Sequence, residues 1–109
     1  MKINKIAVLI SFYKGDQYFN DLVTSLFNQD YKHFDIHIRV DDSDNNIPTE
    51  IRERLINSSF NVFFYNGVNI GFSKSFLTLL KKTFESGYKF YLLLFVFIFL
   101  YLYFKKYVP

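Results

Sequence analysis

Short apolar runs alternate with stretches of helical periodicity along this chain, and that alternation leaves few folds open. Ile6-Ala7-Val8-Leu9-Ile10 is continuously apolar, as expected of a parallel strand covered on both faces. Ser11 to Asp16 contains Gly15 and reads as a turn, with Asp16 placed to cap a helix. In that helix Phe19, Leu22, Val23, Leu26 and Phe27 recur at helical spacing. Phe34, Ile36, Ile38 and Val40 then alternate with more polar neighbours, the period of a strand. Pro48 and Glu50 suit the start of a second helix with Ile51, Leu55 and Ile56 as its buried stripe. Phe60 to Tyr65 reads as a third strand. A third helix is expected after Ser73, with Phe76, Leu79, Leu80, Thr83 and Phe84 on one face and Gly87 as its stop. Strand-forming residues resume at Tyr88.

The order is β-α-β-α-β-α-β. Short links between alternating strands and helices predict an α/β fold, a Rossmann-like parallel sheet flanked by helices. With 109 residues there is room for one small domain. Half the residues are hydrophobic, so a core can form and disorder is not expected. Cys is absent, which excludes disulfides, zinc-thiolate sites and thiol nucleophiles and fits a reducing compartment. A net charge of +3 with dispersed lysines predicts no nucleic-acid footprint.

In an open α/β sheet, ligands bind beyond the carboxyl ends of the strands. Three loops are expected at that edge: Ser11 to Gly15, Asp41-Asp42-Ser43-Asp44, and Asn66 to Phe72. An aromatic ring, a carboxylate cluster and glycine-opened backbone together suit a nucleotide. The ring stacks on a base, acids accept hydrogen bonds from base or ribose, and backbone amides face phosphate. A solvated acidic turn beside two ordinary loops is the plain alternative. Gly67 to Ser75 is no P-loop, because Phe72 and Ser73 stand where Gly must directly precede Lys-Ser. His37 is expected to pack or sit at the surface, and Arg39 to form a plain surface ion pair.

Four segments, Ile6–Gly15, Ser25–Tyr31, Phe34–Asn45 and Asn69–Leu80, resemble successive motifs of the family-2 glycosyltransferases, in order and at the usual spacing. The match covers roughly residues 4 to 92. The resemblance implies the N-terminal half of a nucleotide-diphospho-sugar transferase (GT-A) fold. It implies nucleotide-binding roles for Ser11, Tyr13, Asp41, Asp42, Asp44, Asn69, Gly71 and Lys74, with one acid of the Asp41–Asp42 pair holding base or ribose. Gln29 matches a position that packs the first helix against the sheet. The implied parent activity is inverting transfer of a sugar from a nucleoside-diphosphate sugar to a saccharide or lipid-linked acceptor. The family also uses a divalent cation (Mg or Mn) held by an Asp-x-Asp motif after the fourth strand, and a later acid as base. Neither stands in this chain, where Glu85 is the last carboxylate side chain. No catalytic residue is assigned, and the chain alone is expected to be inactive.

From Phe90 to Phe104 every residue is Phe, Tyr, Leu, Ile or Val, closed by Lys105-Lys106. The expected division is a nucleotide-sugar-binding half-domain over 1–94 and a hydrophobic tail over 95–109. As a helix the run spans roughly 22 Å, short of the ~30 Å hydrocarbon core, with Tyr and Lys at its ends to narrow the gap. Two accounts of the tail stay open: out-of-frame translation of AT-rich DNA, or a membrane anchor on a non-catalytic nucleotide-binding or interaction protein. The expected location is cytoplasmic, with membrane association through Phe90–Phe104 on the second account. An uncovered sheet edge predicts poor solubility.

Overall fold

The computed structural model describes residues 5–14, 16–43 and 46–96, apart from the side chains of residues 16, 17, 95 and 96. The elements are β1 (Ile6–Phe12), α1 (Asp16–Phe27), β2 (Phe34–Val40), α2 (Thr49–Ile56), β3 (Val62–Asn66), α3 (Phe72–Thr83) and β4 (Phe90–Val96), with a 3-10 turn at Phe84–Ser86. All strands are parallel, in the order β3-β2-β1-β4. The expected α/β, Rossmann-like arrangement is therefore present.

The crossovers place helices on both faces. Val8, Ile10 and Phe12 of β1 and Ile36, Ile38 and Val40 of β2 pack with Phe19, Val23 and Leu26 of α1 and Ile51 and Leu55 of α2. Ala7 and Leu9 pack on the other face with Phe76 and Leu79 of α3. The third crossover must carry the chain from β3 at one edge to β4 at the opposite edge, so α3 lies across the centre of the sheet. The reversal of strand order falls at β1, beside β4, the kind of position where open α/β sheets bind ligands.

Several local expectations change. Ile56 is exposed rather than part of the α2 stripe, and Phe84 leaves the α3 face for the 3-10 turn, where it is 77% exposed. Gly71, not Ser73, is the N-cap of α3. Gly87 does end the segment, in the left-handed conformation at φ 81°. Gln29 is exposed and donates to the Ser25 carbonyl (3.3 Å), closing the end of α1 instead of packing on the sheet. Phe90–Val96 is a strand, so the apolar run does not begin as a helix, and β4 passes the expected boundary at residue 94. Among the described residues no helix is long and apolar enough to cross a membrane. The rest of the run, 97–109, lies outside the described residues.

The largest departure concerns β2. Its alternation predicts one apolar and one more polar face, yet all seven residues are buried. Asp35, His37 and Arg39 lie beneath the α3 layer, where burial demands partners. Asp35 pairs with Lys5 (2.8 Å) and accepts from Asn61 (3.2 Å) and from the Tyr88 hydroxyl (2.5 Å). His37 meets Tyr65 through Nδ1 and Tyr88 through Nε2, each at 3.0 Å, and its ring stacks on Phe63. Among the described residues no buried side-chain N or O lacks a hydrogen bond.

Burial first, and then the Asp35 carboxylate, push the Tyr88 phenol well above its ordinary value of 10.0. The sign of the consequence follows directly. An unfolded chain ionises this phenol near 10 while the folded chain keeps it protonated, so its stabilising effect is complete below pH 10 and lost above it. Alkaline titration with far-UV dichroism should show unfolding that begins above about pH 10 and is delayed in Tyr88→Phe relative to that variant's own neutral-pH stability. An identical alkaline slope in both proteins would refute the assignment.

Candidate functional site

Because the strands are parallel, the loops after β1, β2 and β3 emerge at one edge, as expected. Their connection is specific. The Asp41 amide donates to the Phe12 carbonyl (2.8 Å), joining the ends of β1 and β2. The Asp41 carboxylate then accepts from the Ile70 amide through Oδ1 (2.9 Å) and the Gly71 amide through Oδ2 (3.0 Å). One residue thus fastens three loops. Tyr13, Asp42 and the first turn of α3 each follow directly from this fastening.

Arg39 completes it from below. Its Nη1 contacts Asp41 Oδ1 at 2.5 Å and Ser75 Oγ at 3.4 Å, and its Nη2 donates to the Val68 carbonyl at 3.1 Å. Arg39 and Asp41 are only 6% and 2% exposed, so the expected surface ion pair is in fact a buried one. Sequence reasoning missed its weight. The available signal was an arginine two residues before the acid on one strand face, opposite a glycine-bearing loop.

The two loop glycines have backbone reasons. A Cβ on Gly67 would lie 2.3 Å from Arg39 Nη2. Gly71 has φ 86° and ψ 157°, a region that side-chain-bearing residues essentially avoid. Gly71→Ala should cost about 1–3 kcal/mol, read from urea unfolding. A change below about 0.5 kcal/mol, the usual range for surface substitutions, would show that the loop adapts freely.

The predicted site residues divide accordingly. Asp41 is buried and holds the loop, which leaves Asp42, half-buried and one residue further out, as the acid nearer solvent. Tyr13 is half-buried at the end of β1, with the Lys14 ammonium 5.1 Å from its ring centroid. Lys14 itself has φ 50°, in the left-handed region. Asn69, Gly71 and Lys74 are exposed at the same edge. Ser11 is 3% exposed, inside β1 in register with Arg39, and is buried rather than open at the edge. Asp44 lies outside the described residues.

Electrostatically the edge is mixed. The amides of the first turn of α3 have no intrahelical acceptor, and Gly71 supplies no side-chain cap. With Lys14 and Lys74 they favour an anion at this edge. Asp42, at the end of β2, supplies a hydrogen-bond acceptor there. Such an arrangement can bind a group that carries both hydrogen-bond donors and phosphate. Among the described residues no group of three or more His, Cys, Asp or Glu could hold a metal ion. Comparison with family models, with curated proteins and with solved structures gives no match for this chain.

Proposed function

We propose that the carboxyl edge of the sheet binds the nucleoside diphosphate part of a sugar nucleotide, the role of the N-terminal half of a family-2-like glycosyltransferase with a GT-A fold. The observation that carries this reading is the Asp41 fastening, which sets Tyr13, Asp42 and the α3 N-terminus around one edge. Tyr13 stacks on the base, Asp42 accepts from base or ribose, and the α3 amides with Lys74 face the diphosphate. Asn69 and Gly71 belong to the segment beside the nucleotide. Asp41 acts through the loop that it holds. The four motif segments support the same assignment. Binding, not transfer, is the activity proposed for these 109 residues, since no carboxylate side chain follows Glu85 to hold the cation of the full reaction.

Titration calorimetry with UDP, GDP and ADP tests this. At least one should bind, and Asp42→Ala should weaken it by about 1.5–3 kcal/mol, the range for a hydrogen bond to a charged group. Tyr13→Ala should cost about 1–3 kcal/mol, the range for base stacking on an aromatic ring, with Tyr13→Phe close to neutral. A folded chain that binds none of the three, or binding that ignores both substitutions, would remove the proposal.

A further inference from the structure

The buried polar chain beneath α3 has a direction. Tyr88 donates its one hydroxyl proton to Asp35 Oδ2 at 2.5 Å. Towards His37 the same oxygen can therefore only accept, so the proton in that 3.0 Å contact sits on His37 Nε2. A neutral imidazole with its proton on Nε2 has an acceptor at Nδ1, and the Tyr65 hydroxyl, 3.0 Å away, must donate to it. The order is thus Tyr65 to His37 to Tyr88 to Asp35, with Lys5 closing the end at 2.8 Å. It ties β3 through β2 to the segment that leads into β4.

We infer that His37 is the acid-sensitive pivot of this relay, and that a proton on its Nδ1 loosens the hold on the β3 side of the sheet. An imidazolium donates from both nitrogens, so the Tyr65 bond must reverse and the Tyr65 proton must find another acceptor. The surrounding charges do not welcome the added one. On β2, Asp35 is already paired with Lys5, and Arg39, two residues along the same face, is paired with Asp41. From α3, the Lys82 ammonium lies 5.4 Å from the Tyr65 ring centroid. From β3 come Tyr65 and the uncharged Phe63 ring, 4.5 Å from the imidazole centroid. Tyr88 and Tyr91, in edge contact at 6.1 Å, pack from the β4 side. His37 is 4% exposed, so water cannot readily offset the charge. This inference is independent of the nucleotide reading.

The chain has two histidines, which makes the test selective. Urea unfolding of the full chain, dispersed in mild detergent if it self-associates, is followed between pH 7.5 and 5.5. The unfolded chain takes up a histidine proton near 6.5 while the folded chain resists it, so the unfolding constant should rise up to about tenfold over that window. His37→Gln, whose amide can donate to Tyr88 and accept from Tyr65, should abolish the rise. The exposed His33→Gln should keep it. Nitrogen-15 spectra of the parent at pH 7.5 should show the Nε2–H tautomer for His37, a readout that stands even if His37→Gln fails to fold. An Nδ1–H tautomer, an imidazolium at pH 7.5, or the same acid dependence in His37→Gln would each overturn the inference.

Discussion

Replacing Asp41 by alanine is expected to cost about 3–5 kcal/mol, the range for breaking a buried ion pair from one side. Three interactions are lost together: the Arg39 contact and the two amides at Ile70 and Gly71. Arg39 would be left buried without its carboxylate, with Ser75 and Val68 as its remaining acceptors among the described residues. A domain of this size has about 5–15 kcal/mol of stability to lose, so the alanine variant should unfold at a clearly lower urea concentration than the parent. The pair also has a diagnostic non-additivity. Arg39→Met combined with Asp41→Asn should be less damaging than the sum of the two singles, because neither charge remains uncompensated. Urea unfolding of the three variants decides the matter. An Asp41→Ala protein within about 1 kcal/mol of the parent, the typical effect of an ordinary substitution, would mean that the loop is not held as described.

Phe19→Ala should be comparably severe, at about 3–5 kcal/mol. Phe19 is fully buried under β1, and its ring lies 4.8 Å from that of Phe12. Its removal opens a cavity between α1 and the sheet, and Phe12 directly precedes Tyr13. Phe19→Leu refills most of the volume and should lose much less. If the proposed site is correct, Phe19→Leu should also retain nucleotide binding, because Tyr13 and Asp42 keep their support. Equal losses in the alanine and leucine variants would place the critical packing elsewhere.

The element order and the β2 boundaries were legible in the sequence because both depend on local pattern. Phe34 to Val40 alternates within seven residues, and the observed strand has those bounds. The buried polar face of β2 was not legible. Period two reports which side chains share a face, and it is silent on what covers that face. Here the cover comes from Tyr65 and Tyr88, 28 and 51 residues away from His37, and from a helix whose path is set by strand order. Asp41 shows the same limit within the site. Two adjacent acids look equivalent in a sequence, and only the amides at Ile70 and Gly71 separate the acid that holds the loop from the one beyond it.

The order β3-β2-β1-β4 also bears on how the chain comes to be folded as it is made. Ile6 pairs with Phe90, a separation of 84 residues, whereas its partner on the other side is Phe34. During synthesis β1, β2 and β3 can associate in turn, but the apolar β1 keeps an open edge until β4 has left the ribosome. Non-local parallel pairing of this kind is slow and leaves strands exposed to wrong partners. That edge closes when β4 docks, a strand with Leu92 and Leu93 both about half exposed. Occupancy of that strand position, more than formation of any helix, should set the yield of folded protein emerging from the ribosome.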